Sequence, residues 1–326
     1  FSVELPDTVT AATAKVLFEN RDISIGRKKI PDIIDALGTR IYLINTGLSA
    51  ETPDTLNRIV DPGFENISVP GVPTATYFRV GKDRGATALV DARISHSGEH
   101  SLRIICPRKG QGGAISFYPV EVEYGKSYRF SLWAKAASPD SLWFTRSFFY
   151  RLFHKKPGLP FFTVSVGSLA DSTFILTRDW KKYDLTFTVS DSSVAVARIT
   201  PGLRLDSRGT AWFDDLRFIP LLDLESRVYE PGKSLEISII NHTGTGKVTC
   251  TFNGTMPGMD APEYNIPLII NSSIILTAAL WKKGSRTGSI SEPFLVHKGL
   301  GRSLKLSTFP AQRYSGGNHA ALVDGR

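Results

Sequence analysis

The chain has little of what would force a redox, metal or membrane reading. Only two cysteines, Cys106 and Cys250, and two methionines occur in 326 residues. Each cysteine alternates with apolar neighbours: Leu102, Ile104 and Cys106 in one run, Val248, Cys250 and Phe252 in the other. That spacing places both on inner faces of strands, as small core residues rather than a disulfide or a metal pair. No apolar run is long enough to span a bilayer, so no membrane span is expected. A G-x-S-x-G elbow, a P-loop and a dinucleotide fingerprint are all absent. Gly110 to Gly113 leads into Ile115-Ser116-Phe117, the pattern of a hairpin turn before a strand. Helical periodicity is confined to Pro31 to Leu37, stopped by Gly38.

Charge is also unconcentrated. The net charge is +8, but the basic residues are scattered, and the densest groups are Arg27-Lys28-Lys29 and the stretch Arg146 to Lys156. No zinc-finger spacing, helix-turn-helix pattern or basic heptad accompanies them, so a solvated basic surface is expected and nucleic acid is not a partner. The six histidines include His96 and His100 at i, i+4, without the acidic pattern of a zincin, and they read as surface or turn residues.

What is abundant is turn chemistry and alternation. Glycine and proline number 28 and 19, a mix that fits short strands joined by many turns. Tyr128, Phe130 and Leu132 face one way while Arg129, Ser131 and Trp133 face the other. Tyr183, Leu185, Phe187 and Val189 repeat the pattern, as do Phe162, Val164 and Val166, then Leu235, Ile237 and Ile239, then Ile274, Leu276 and Leu280. Turn residues such as Tyr124-Gly125-Lys126, Glu230-Pro231-Gly232 and Asn253-Gly254 bound these runs. Strands with one buried and one wet face form antiparallel sheets that pack as sandwiches. The expected class is therefore all-β, a tandem of antiparallel sandwiches. Polar residues 46–57, the stretch Pro220 to Ser226 and the stretch His297 to Gly301 mark breaks, giving segments 1–48, 57–222, 226–297 and 298–326. The first and last are too short to bury a core alone. With Phe1 rather than Met in first place, the expectation is a chain that begins inside one domain and ends inside another.

Segment 57–222 resembles the jelly-roll carbohydrate-binding modules of the family 4, 9 and 22 type. The carriers are Asn57-Arg58-Ile59-Val60-Asp61-Pro62-Gly63-Phe64-Glu65, His96-Ser97-Gly98-Glu99-His100-Ser101-Leu102, Tyr124 to Trp133, Trp180 ahead of Tyr183, and Thr210-Ala211-Trp212-Phe213-Asp214-Asp215-Leu216. Segment 226–297 resembles the small sandwich at the C-terminus of chitobiases and β-hexosaminidases, through Val248-Thr249-Cys250-Thr251-Phe252-Asn253-Gly254-Thr255-Met256-Pro257. Segment 298–326 resembles the opening of a discoidin-type domain, and segment 1–48 is similar to the last strands of a sandwich that trails a glycosidase barrel. Together these imply the accessory tail of a modular bacterial glycoside hydrolase, secreted, periplasmic or on the cell surface. Its implied partners are a polysaccharide or oligosaccharide and an upstream catalytic domain. A structural or adhesive module without sugar affinity is the rival reading. A glycosidase in its own right would need two converging carboxylates in an open cleft.

Two sets of residues are candidates for chemistry. The resemblance implies that Glu65 and Asp214, at the first and last strands of the module, hold a structural Ca²⁺, with Asp61 and Asp215 as further donors. A hard cation of this kind takes about 6–8 oxygens at roughly 2.3–2.6 Å. The alternative is that both carboxylates accept backbone N–H bonds at strand ends. The stretch Ser141 to Phe162 is aromatic and basic, and flat rings stack on the apolar faces of sugars. Within it Trp143 and Tyr150 are the candidate saccharide contacts, the alternative being that they pack inside their own module. N-x-S/T sequons stand at Asn66, Asn241, Asn253 and Asn271. They carry meaning only in a eukaryotic secreted protein.

Overall fold

The structure is a computed structural model, and it describes residues 2–4, 13–16, 21–26, 28–31, 42–44, 54, 56–67, 69–74, 76–80, 85–107, 113–137, 158–190, 196–303 and 323–325. Every regular element among them is a strand, and all pairing between strands is antiparallel, so the all-β class holds. The stretch Pro31 to Leu37 lies outside the described residues except for Pro31, which ends a strand.

The chain divides into two compact units, Phe1–Thr55 and Leu56–Arg326. In the first, β1 (Ser2–Glu4) pairs with β4 (Lys29–Pro31). There β2 (Thr13–Val16) also lies between β3 (Arg21–Ser24) and β5 (Tyr42–Ile44). Ile23 and Ile30 are buried there.

The second unit holds two sandwiches. One sheet of the first contains, in spatial order, β14 (Lys181–Thr188), β11 (Ser127–Ala136), β17 (Gly209–Pro220), β8 (Ser101–Cys106) and β7 (Thr87–Asp91). The facing sheet contains β13 (Ala170–Ile175), β12 (Phe161–Val166), β16 (Pro201–Leu205), β9 (Gly113–Phe117) and β6 (Thr76–Val80). A short ribbon of β10 (Val120–Glu123) and β15 (Val196–Ile199) completes it. The alternation seen in the sequence is what fills the space between the sheets. Phe130, Leu132, Phe162, Val164, Val166, Leu203, Leu205, Phe213 and Phe218 are buried almost completely, together with Tyr183, Leu185 and Phe187. Cys106 is buried among them and forms no disulfide. The opening segment lies against the last strand: Arg58 N–H donates to the Phe218 carbonyl, and Asn57 bonds both Leu216 O and Phe218 N–H.

The second sandwich begins one residue after β17 ends. Residues 222–226, within the stretch read as the joint between two alternating runs, form the start of β18 (Leu222–Glu230), which pairs with β19 (Ser234–Asn241) and through it with β21 (Leu268–Ile270). The facing sheet runs β20 (Lys247–Thr251), β22 (Ile274–Lys282), β23 (Ser285–Phe294). Its core is aliphatic, with Leu224, Leu235, Ile237, Leu276, Leu280 and Ile290, and with Cys250 also free and buried. Leu300 joins this core, and Leu295 N–H and Gly301 N–H donate to the carbonyls of Gly325 and Val323, so residues 323–325 return to this sandwich.

Between the two sandwiches sits a buried ammonium. Lys126, 6% exposed, pairs with Glu123 at 2.9 Å, Glu292 at 3.0 Å and Asp223 at 3.4 Å. Burial alone would depress its pKa, but the three carboxylates hold it well above the usual lysine range. Beside it the Ser127 hydroxyl accepts Ser289 N–H at 2.8 Å, and Ser127 O accepts Leu221 N–H.

Candidate functional site

Burial on alternate residues fixes which side chains of the β13-β12-β16-β9-β6 sheet point outward. On β12, Phe162, Val164 and Val166 point in, so Phe161, Thr163 and Ser165 point out. On β16, Leu203 and Leu205 point in and Gly202 and Arg204 out. On β9, Ile115 and Phe117 point in and Ser116 out. The strand register then lines up one transverse row, Asp171, Ser165, Gly202, Ser116 and Tyr77. The middle of that row is low and hydroxylic. A Cβ at Gly202 would lie 3.2 Å from Ser165 Oγ and 3.9 Å from Ser116 Oγ.

Aromatics flank this floor. Tyr77 is 55% and Tyr118 46% exposed, with ring centroids 5.4 Å apart. At the opposite corner Phe161 is 40% and Ile175 71% exposed. Between them runs a polar chain: the Thr163 hydroxyl donates to Asp206 Oδ2 at 2.5 Å and contacts the Thr173 hydroxyl at 2.9 Å, and Arg204 bonds Asp206 Oδ1. Exposed rings beside fixed hydroxyls, a carboxylate and a guanidinium are the two kinds of surface a sugar presents for, an apolar ring face and a rim of hydroxyls.

Trp143 and Tyr150, and with them the glycine-rich turn at Gly110, lie outside the described residues. Of the aromatic and basic stretch, the described end supplies one exposed ring, Phe161, and one core ring, Phe162. Tyr77 and Tyr118 were not singled out by sequence. The available signal was that Tyr118 directly follows the inward Phe117.

The structure brings Glu65 and Asp214 to one loop. Asp214, fully buried, accepts His96 N–H at 2.7 Å and Ser97 N–H at 3.3 Å through Oδ2, and Asp215 N–H at 2.8 Å through Oδ1. Glu65 Oε1 accepts Glu99 and His100 N–H, and Oε2 meets His100 Nδ1 at 2.8 Å. Asp215 meets His96 Nδ1 and the Ser97 hydroxyl, both at 2.5 Å. The 96–100 loop is thus held by carboxylates, and its two histidines are engaged by acids instead of being bare turn residues. Gly98 completes the grip. Its φ is +60°, and a Cβ there would collide with the Glu65 carboxylate, so only glycine fits. The His96 ring stacks on Trp133 at 4.0 Å, with Trp180 edge-on at 5.5 Å.

Burial, with Asp215 alongside, pushes the Asp214 carboxyl up to about 6 against the pull of its N–H donors. Burial likewise raises Asp61, whose Oδ2 is buried without a hydrogen-bond partner. The donor set is hard oxygen throughout, and an orphaned buried oxygen stands within it, so its chemistry suits Ca²⁺. The side chains are turned to backbone N–H groups, and among the described residues no three acidic, His or Cys side chains gather as a metal group. As a glycosidase pair they are poorly placed, since Asp214 has no access to an open cleft.

Residues 56–201 match the family model described as a carbohydrate-binding domain, and they fall in the first β-sandwich of the second unit. No curated protein matches the chain. Among solved structures, the module TmCBM61 in complex with beta-1,4-galactotriose is 14% identical, with a TM-score of 0.33 over 50% of this chain and 98% of that one. The CBM22-1 xylan-binding domain of Xyn10C from Paenibacillus barcinonensis is 14% identical, with a TM-score of 0.31 over 48% and 90%. The enzymatically active domain of tailspike protein 4 from bacteriophage CBA120 is 12% identical, with a TM-score of 0.37 over 51% of this chain, which spans 21% of that one. At these scores the fold has to be argued from the strands themselves.

Proposed function

We propose that the outer face of the β13-β12-β16-β9-β6 sheet binds a saccharide. The chain then serves as the non-catalytic glycan-binding and spacer part of a secreted or cell-surface polysaccharide-degrading glycoside hydrolase. The observation that carries this is the row Ser165, Gly202, Ser116, a low hydroxylic floor flanked by the exposed Tyr77 and Tyr118; all of these but Gly202 lie within residues 56–201, which match a carbohydrate-binding domain. Stacking on the tyrosines supplies affinity, while the Thr163, Asp206 and Arg204 chain fixes hydroxyl orientation. Holding an enzyme on its polymer raises its local concentration without any new catalytic contact. The carboxylate cluster at the 96–100 loop supports a second element of the proposal. Glu65 and Asp214, with Asp61, would hold Ca²⁺, which would neutralise crowded carboxylates and stiffen that loop.

The test is affinity electrophoresis of the chain through gels containing neutral polysaccharides. Retardation by one glycan, weakened about tenfold or more by Tyr77→Ala with Tyr118→Ala, is the expected result, since one anchor ring is worth roughly 1.4 kcal/mol or more. A chain that no glycan retards, or variants retarded like the parent, would return the sheet face to a purely structural role.

A further inference from the structure

The second sandwich carries a feature that the proposed saccharide face does not use. Thr245, Gly246, Lys247, Met259 and the turn from Trp281 to Gly284 enclose a hollow of about 500 Å³. One wall is the Trp281 ring, fixed because its indole N–H donates to Thr249 Oγ1 at 2.9 Å. Beside it on the adjacent strand stands its ladder partner Lys247, whose ammonium donates to the Met259 carbonyl at 3.0 Å and stands 3.8 Å from Glu263. Gly246 lets the chain pass close to the end of β22. With φ +98°, a Cβ there would lie 2.7 Å from Trp281 O and 2.9 Å from a Leu280 methyl.

The rim is cationic. Lys283 and Gly284 are the two central residues of the β22–β23 hairpin, both with positive φ, at 48° and 78°. That is the two-residue turn in which Asn-Gly is the usual choice, and a lysine is disfavoured there on backbone grounds. Lys282 precedes it, and Arg286 stands opposite Trp281 in the ladder. Among the described residues, Lys282, Lys283 and Arg286 have no acidic partner. A hollow lined by Trp281 and by the two uncompensated cations Lys282 and Lys283 is complementary to a flat apolar ring that bears a carboxylate.

We infer that this hollow binds a uronic acid residue of an acidic glycan, with the sugar face on Trp281 and the carboxylate at Lys282 and Lys283. The choice of a sugar rests on the glycan-binding reading above, but the site is separate from the tyrosine face. The experiment compares the full chain, Lys282→Gln with Lys283→Asn, Trp281→Phe, Trp281→Ala, and Tyr77→Ala with Tyr118→Ala, in gels of polygalacturonate and of a neutral galactan. A short single-stranded DNA is run as competitor. Lys283→Asn suits the turn better than the parent residue, so folding is preserved. The expected result is retardation by polygalacturonate that weakens at least about fivefold in the lysine variant and in Trp281→Ala, is largely kept by Trp281→Phe, and is unchanged in the tyrosine variant. Loss of neutral-gel binding alone in the tyrosine variant keeps the two readings distinguishable. Lysine or Trp281→Ala variants that run like the parent, or DNA that displaces polygalacturonate equally well in the parent and in Trp281→Ala, would overturn the inference.

Discussion

The two sandwiches of the second unit solve the same packing problem with different material. The first stacks two five-stranded sheets and fills the gap with rings: Phe162 lies edge-on to Phe213 at 5.2 Å, and Phe218 contacts both Tyr128 and Phe130 within 6 Å. The second stacks two three-stranded sheets on leucine, isoleucine and alanine, with Phe294 its only buried ring among the described residues. Rings and branched aliphatic side chains can each fill the gap of about 10 Å between packed sheets to native density. The difference reaches the surface. The broad sheet has room for a transverse row of five positions that runs from Asp171 to the exposed Tyr77, whereas the hollow of the narrow sandwich lies at the end of the β22–β23 hairpin, beside Trp281.

That contrast can be broken by substitution. Phe213→Ala should cost about 3–5 kcal/mol in chemical denaturation, and Leu276→Ala about 2–4 kcal/mol. If the leucine costs more, the aromatic core is not the tighter of the two. Lys126→Met tests whether the two cores are separate at all. Three carboxylates would then face each other at the junction, and because they are partly exposed the loss should be about 1–3 kcal/mol. Calorimetry should show one transition in the parent and two in the variant, the aliphatic sandwich melting first. A single transition in the variant would mean that the surrounding apolar contacts alone couple the pair.

A smaller effect sharpens the difference at the loop. Calcium should raise the melting temperature of the first sandwich by a few degrees, and a chelator should reverse it. Asp214 adds a pH dependence whose sign follows from its raised pKa. Between about pH 4 and 6 the folded state holds more protons than the unfolded one, so Asp214's contribution to stability falls as pH rises through that window. Calcium needs the ionised carboxylate, so its stabilising effect should be larger at about pH 7 than at about pH 5. Equal melting temperatures with and without calcium at both values would leave Glu65 and Asp214 as anchors of the 96–100 loop alone.

Strand alternation made much of the fold legible in advance. Tyr183, Leu185 and Phe187, and Leu235, Ile237 and Ile239, fall inside as their spacing requires. The joint between the sandwiches was read at Pro220 to Ser226, where one alternating run gives way to the next; β17 ends at Pro220 and β18 starts at Leu222, so the joint is shorter than the stretch suggests. The saccharide face was missed for a physical reason. Ser165, Gly202 and Ser116 become neighbours only through strand register, and none has a side chain that marks a site in one dimension. Tyr77 and Tyr118 meet across two strands that are far apart in sequence. The acidic pair was visible, as was the alternative that both carboxylates accept backbone N–H bonds, but that those N–H groups belong to residues 96–100 carries no signature in the sequence.

The single residue between β17 and β18 has a mechanical consequence. Leu221 is 3% exposed, its N–H is held by Ser127, and its carbonyl accepts His242 N–H. No slack chain exists there to be pulled straight. Tension applied along the polypeptide would cross the junction as shear between sheets, resisted by ladders of hydrogen bonds and by the Lys126 cluster together. A pair built this way acts as a strut rather than a tether, carrying load and torque from one end to the other.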